Sequence, residues 1–308
     1  MLGLKENIQR VMIGNGKTID LMLTALVAGG HVLLEDVPGT GKTVMAKALA
    51  RSVDASFGRV QFTPDLLPSD VTGLNFYNSK DGEFQLRKGP VFSHILLADE
   101  INRATPKTQS ALLECMAEHQ VTIDGVTYPL EAPFFVIATE NPLENLGTFP
   151  LPEAQLDRFL MKLSMENLSS EQELALVNRY LAEEPLENLS PVSSLPALTA
   201  AQQKARQVYL HPELAQYIIA LTQASRQHTR VACGISPRGT LALTRASQAY
   251  ALLQGRDYVV PEDIKEVAVP VLAHRLSLTA SLDAGHSAEN VILDLLRQTP
   301  VPTEDWTR

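Results

Sequence analysis

Residues 32–48, VLLEDVPGTGKTVMAKA, set a lysine and a hydroxyl at the opening of a helical pattern, directly after a glycine-rich turn and an apolar run. That order of residue types suits a polyphosphate. Glycines let the backbone curl so that successive N–H groups point inward at phosphate oxygens, and the following helix adds its positive N-terminal end. Pro38, Gly39, Thr40, Gly41, Lys42, Thr43 and Val44 are expected to form the cradle. In it Lys42 would neutralise the β- and γ-phosphates and Thr43 would ligate Mg²⁺. The strict pattern has glycine where this chain has Asp36, but Pro38-Gly39-Thr40 keep the turn chemistry.

Four further sites carry groups that such a cradle needs. HILLADE ends an apolar strand with Asp99-Glu100. Adjacent carboxylates there have separable tasks: Asp99 can orient Mg²⁺ and its waters, while Glu100 can polarise the water that attacks the γ-phosphate. The run Phe134–Ala138 leads into Thr139-Glu140-Asn141. In a parallel sheet its C-terminal edge lies beside the ligand, so Asn141 can hydrogen-bond the attacking water or a γ-phosphate oxygen. In LPEAQLDRF, Arg158 could be held out to a neighbouring subunit, which is how many such enzymes supply transition-state charge; a surface pairing with Asp157 is the plainer alternative. Arg238, in GISPRGTLAL, sits in the first turn of a helix, where it opposes the macrodipole. An anionic partner is expected, either nucleotide phosphate or a structural carboxylate. None of the seven histidines has metal or catalytic spacing.

The elements that must position these groups can be read in outline. Residues 4–28 read as one helix ended by Gly29-Gly30. Continuous apolar runs at His31–Leu34, Val60–Phe62, Ile95–Ala98 and Phe134–Ala138 alternate with helical stretches, which predicts a parallel sheet covered on both faces. Thr105 and Pro106 open a helix through KTQSALLECMAEH. Asp81-Gly82 and Asp124-Gly125 each predict a two-residue hairpin turn. After about residue 166 strand signals vanish. A Pro/Ser-rich linker spans 183–196, Thr199 and Gln202 suggest a capping box, and helices are expected over 212–227, 236–253, from Pro261, and over 287–298. The predicted organisation is an α/β domain over 1–166, a connecting segment over 167–197, and an all-helical domain over 198–308.

The whole chain bounds the reading. At 308 residues, with 45% hydrophobic and 20% charged residues, it has the balance of a soluble globular protein of two domains. A net charge of −9 gives no support for a nucleic-acid partner. No charged-then-apolar leader opens it, and no apolar stretch approaches the roughly 20 residues of a spanning helix. With two distant cysteines, Cys115 and Cys233, reduced core thiols and a cytoplasmic location are expected.

Together EDVPGTGKT, LLADEINRATPKTQSALLECMAEHQVTIDG, ATENPLENLGTFPLPEAQLDRF, GISPRGTLALTRASQAYALLQGRDYVVPEDI and AHRL make the chain resemble the MoxR-type ATPases of the AAA+ superfamily over essentially its full length. The resemblance implies a P-loop αβα domain with β-hairpin insertions, followed by a small helical lid. It implies that the hairpins are the helix 2 insertion and the pre-sensor hairpin. By the same resemblance Asn141 is sensor 1, Arg158 the arginine finger and Arg238 sensor 2, with a displaced lid that would let Arg238 serve a neighbour's nucleotide. Val260 stands where relatives often have a capping Thr. The function implied is a Mg-ATP-hydrolysing, chaperone-like machine forming a hexameric ring, often paired with a von Willebrand A-domain protein. A nucleic-acid remodelling motor and a non-hydrolysing nucleotide-sensing scaffold are the alternatives. The first would want a basic stripe, and the second would want Glu100, Asn141 or Arg158 lost.

Overall fold

The computed structural model describes residues 2–35, 39–142, 147–182, 184–279 and 287–303. It divides into two compact units that interleave along the chain. One comprises Met1–Ile19, His31–Leu151 and Ser164–Thr199; the other comprises Asp20–Gly30, Pro152–Leu163 and Ala200–Arg308. Where consecutive domains were expected, two internal segments therefore belong with the C-terminal helices.

In the first unit, strands Val32–Glu35 (β1), Phe57–Gln61 (β2), Gly73–Asn78 (β3), Glu83–Lys88 (β4), Ile95–Asp99 (β5), Gln120–Ile123 (β6), Val126–Pro129 (β7) and Phe135–Glu140 (β8) follow in order. β2, β5, β8 and β1 pair side by side, all parallel. The apolar runs of β1, β5 and β8 are buried on both faces, as continuous rather than alternating hydrophobicity requires, whereas β2 at the sheet edge buries only Val60 fully. Helix Lys42–Ser52 turns Met45, Ala46, Ala48, Leu49 and Ala50 inward, and Pro106–Glu118 turns Leu112, Leu113 and Met116 inward. His31 is sealed in this core. Its Nε2–H donates to the Met116 carbonyl (3.1 Å) and its Nδ1 accepts from the Val136 N–H (3.1 Å), a geometry that only the neutral ring satisfies. Burial pushes its pKa down to about 4.

Several expectations are corrected. The single helix over 4–28 is two, Leu2–Gln9 and Gly16–Ala28, because Gly14 (φ 71°) and Asn15 (φ 58°) are left-handed between them. Asn15 is tied there, its Oδ1 accepting from the Glu166 N–H at 2.7 Å. β3 and β4 pair out to Asn78↔Glu83, leaving a four-residue connection rather than the expected two. Asn78 closes it locally, accepting from the Lys80 N–H and donating to Asp81. The second hairpin has the expected two-residue turn, with Ile123 opposite Val126 and both Asp124 (φ 48°) and Gly125 (φ 80°) left-handed. Thr105 sits at the helix start as expected but makes no side-chain cap.

The second unit holds the short strand Met161–Leu163 (β9) and helices Pro212–Gln227, Pro237–Leu253, Pro261–Leu272 and Ala288–Gln298. It is not purely helical. Val231–Cys233 (β10) and Ser277–Leu278 (β11) form an antiparallel ribbon too short for periodicity to reveal. Thr199 does not open a helix: it lies inside Leu195–Ala205 with its hydroxyl donating to the Leu195 carbonyl, and Ser194 stands before the first turn instead. Val260 supplies no side-chain cap, yet the end is closed from the other side, Asp263 accepting from the Val260 N–H at 2.8 Å. Cys115 is buried, but Cys233 is exposed on β10 rather than in a core. Among the described residues no helix is long and apolar enough to cross a membrane.

Candidate functional site

The register of the parallel sheet brings the predicted chemistry to one edge. Gln61 lies opposite Asp99, Ala98 opposite Ala138, and Glu35 opposite Glu140, so β1, β2, β5 and β8 end at a common level. Helix Lys42–Ser52 begins at that edge. Gly41, at φ 91°, turns the loop into the helix, whose positive N-terminal end suits an anion. Gly39 is also left-handed (φ 89°), and a Cβ built on it would meet nothing within 4 Å. The loop therefore faces open space with its backbone. Pro38, expected in the cradle, lies outside the described residues, as does Asp36.

A cavity of about 430 Å³ is lined by Gly39, Gly41, Lys42, Thr43 and Val44 together with Asp99, Glu100 and Asn141. Residues from three separate stretches of sequence thus meet in one place. Arg59 and Gln61 complete the lining. Both were missed by sequence reasoning, although their i, i+2 spacing on β2 puts them on one face. Arg59 pairs with Asp99 Oδ2 at 2.7 Å. Gln61 donates to Glu100 Oε2 at 2.6 Å, and Arg103 Nε lies 3.1 Å from the same oxygen.

Thr139 joins the two acids. Its hydroxyl donates to Asp99 Oδ1 (2.8 Å) and accepts from the Glu100 N–H (2.8 Å). Glu100 needs that anchor, because its backbone is left-handed (φ 55°), a conformation costing a non-glycine residue about 1–2 kcal/mol. The available signal was a threonine, fully buried, at the end of an otherwise apolar strand. Behind the acids, the buried Gln109 amide donates to the carbonyls of Ile101, Ala104 and Phe149, which fixes the loop that follows Glu100.

A second cavity, about 720 Å³, shares Gly39, Gly41 and Val44 with the first. Met12, Ile13, Leu176, Val177 and Tyr180 give it a largely apolar wall. One chamber is thus polar and lysine-bearing, the other apolar, with the glycine loop between them. A molecule with a phosphate chain at one end and a flat base at the other would match both. None of the apolar wall beyond Val44 was expected from the sequence.

The residues also fit a hard cation beside such phosphates, since the Thr43 hydroxyl and the Asp99 carboxylate line the same cavity. Among the described residues no group of three or more His, Cys, Asp or Glu is arranged to hold a metal. Phosphate oxygens and water would therefore complete the shell, the usual habit of Mg²⁺.

Arg158 and Arg238 belong to the second unit. Arg158 follows the short helix Glu153–Leu156 and is half-buried, and Asp157 pairs not with it but with Arg275. Arg238 lies in the first turn of Pro237–Leu253, as expected, and is exposed; Ser236 caps that helix by accepting from the Gly239 N–H.

A nucleotide-binding αβα unit with a helical companion is the class this geometry defines, and comparison with known proteins narrows it. The ATPase family associated with various cellular activities (AAA) matches residues 31–161, and the AAA lid domain matches 223–295. The uncharacterised Bacillus subtilis protein YeaC is 50% identical, over 97% of this chain and 94% of its own length. Chaperone MoxR1 of Mycobacterium tuberculosis is 40% identical over 95% of this chain and 79% of its own. A crystal structure from Cytophaga hutchinsonii described as a candidate ATPase superposes with a TM-score of 0.92 at 41% identity, over 98% of this chain and 94% of that one. The chain belongs to the MoxR family of AAA ATPases. It is an ATPase by that membership.

Proposed function

We propose that this ATPase drives a ring of its own copies, on the plan of a hexamer, that remodels or activates partner proteins in a chaperone-like way. The observation that carries the reading is the convergence of Lys42, Thr43, Asp99, Glu100 and Asn141 in one cavity. Lys42 supplies fixed countercharge to the β- and γ-phosphates, Glu100 polarises the attacking water, and Asn141 orients it. When bound, Mg²⁺ held by Thr43 and Asp99 neutralises charge on the phosphate oxygens. Arg158 supplies transition-state charge to a neighbouring copy, and Arg238 meets nucleotide phosphate. A von Willebrand A-domain partner follows from the family resemblance alone, and a cytoplasmic setting from the two distant cysteines, read as reduced thiols. The acidic balance of the chain supports a protein client over a nucleic acid.

Mixing two dead variants tests the ring. Lys42→Ala should lose tight ATP binding, and Arg158→Ala should bind ATP but lose roughly 1,000-fold or more in hydrolysis, the low end for a trans-acting arginine. Mixed rings, verified by labelled pull-down, should regain part of the activity that neither variant has alone. Verified mixed rings that stay inactive, or dilute monomer that hydrolyses at the full rate, would overturn the trans role.

A further inference from the structure

The second unit contains a buried ion pair that the reaction, as described, does not use. Arg275 is only 3% exposed in its side chain, and its Nε pairs with Asp157 Oδ1 at 2.7 Å. The rest of the guanidinium is spent on backbone. Nη2 donates to the carbonyls of Phe159 (2.6 Å) and Asp157 (3.3 Å), and Nη1 donates to Leu160 (3.2 Å) and to Val271. His274 adds a contact from the next position, its Nε2 3.1 Å from the Phe159 carbonyl. Residues 157, 159 and 160 are thus pinned on both sides of Arg158.

The helix that bears Arg238 reaches the same node. Ser236 Oγ lies 3.5 Å from Asp157 Oδ2. A Cβ on Gly239 would come within 3.1 Å of Arg275 Cδ and 2.5 Å of Ile235, so glycine is required beside the arginine stem. Burying a guanidinium is costly, and burial lowers the pKa of Arg275 even against the opposing pull of Asp157. A hydrophobic side chain would hold the helices together without that cost. What it could not do is fix the three carbonyl directions of residues 157, 159 and 160 around one residue, which a planar fork of five donors can.

We infer that Arg275 is a positioning residue for Arg158: by clamping Asp157, Phe159 and Leu160 it sets the direction in which Arg158 leaves the unit. The inference rests on the reading of Arg158 as a transition-state arginine. Arg275→Lys is the informative variant, because it keeps the charge opposite Asp157 and loses the fork. It should keep ATP affinity within about twofold, while kcat falls roughly 10- to 100-fold, the scale of a misplacement of about 1 Å. In an Arg158→Ala background the same change should have no further effect on kcat, and Arg275→Lys chains mixed with Lys42→Ala chains should regain activity. A purely structural role would instead weaken ATP binding, or lower the residual activity of Arg158→Ala; either result overturns the inference. If Arg158→Ala itself hydrolyses ATP at the wild-type rate, the reading of Arg158 fails and the positioning role falls with it. If Arg158→Ala is inactive while Arg275→Lys is fully active, only the positioning role fails.

Discussion

Two arginine–carboxylate pairs of equal length, 2.7 Å, sit in different units and have opposite characters. In Arg59–Asp99 the arginine side chain is 47% exposed and its acid faces the phosphate cavity. In Arg275–Asp157 the arginine is 3% exposed, with Nε on the Asp157 carboxylate and both Nη groups on carbonyls of the same unit. Distance alone does not separate them; solvent does. Water and salt can replace Arg59 at little cost, so Asp99 can be released to another cation. Nothing replaces Arg275. The first pair suits a site whose occupants change, and the second suits a fixed reference point.

Breaking the buried pair gives the largest expected effect. Asp157→Ala leaves a guanidinium buried without its counter-charge and should lower unfolding free energy by about 3–5 kcal/mol in urea titrations. A loss below about 1 kcal/mol would put this pair in the same category as the exposed one.

Acid should sharpen the contrast next. Burial, then the charge of Arg275, holds the His274 pKa well below its ordinary value, so the folded protein keeps this ring neutral. The unfolded chain takes up a proton first as pH drops below about 6.5, and stability must therefore fall with pH there. His31 acts in the same direction in the first unit, contributing up to roughly 3 kcal/mol of loss as pH passes from 6.5 to its folded value of about 4. Urea midpoints between pH 7.5 and 5 should show this slope, and His274→Gln should flatten it in part. An unaltered slope in that variant would remove His274 from the account.

The smallest effect belongs to Arg59→Ala, which should change unfolding free energy by less than about 1 kcal/mol. A larger loss would show that the pair with Asp99 holds the fold rather than the site.

The same contrast explains what could be read from the sequence. Gly39–Thr43 and Asp99-Glu100 were legible because each is a contiguous run whose residue types state their chemistry, and β1, β5 and β8 because their apolar runs are unbroken. Thr139 and Gln61 were not, since each acquires its meaning from a partner about 40 residues away. Arg275 stands 118 residues from Asp157, and AHRL alone says nothing of it. The helix over 4–28 was overextended because apolar periodicity runs on through Gly14 and Asn15, whose positive φ breaks it. The two cavities share a loop that was legible, but the apolar wall comes from Met12, Ile13, Leu176 and Tyr180, brought together only by folding.

The interleaving of the two units has a consequence for biosynthesis. The chain crosses between them five times, and the second unit needs pieces made early, middle and late. Gln202 donates to the Leu26 carbonyl across 176 residues, Gly30 lies against Leu160, and Arg275 closes on Asp157. As the ribosome delivers the chain, Asp20–Gly30 and Pro152–Leu163 emerge before the helices of their own unit, and the Gln202 and Arg275 contacts form only after residues 202 and 275 have left the tunnel. Such nonlocal closure is slow and leaves apolar segments waiting. A fragment beginning at residue 200 would lack both segments altogether, so the second unit is completed only by a chain that also carries the first.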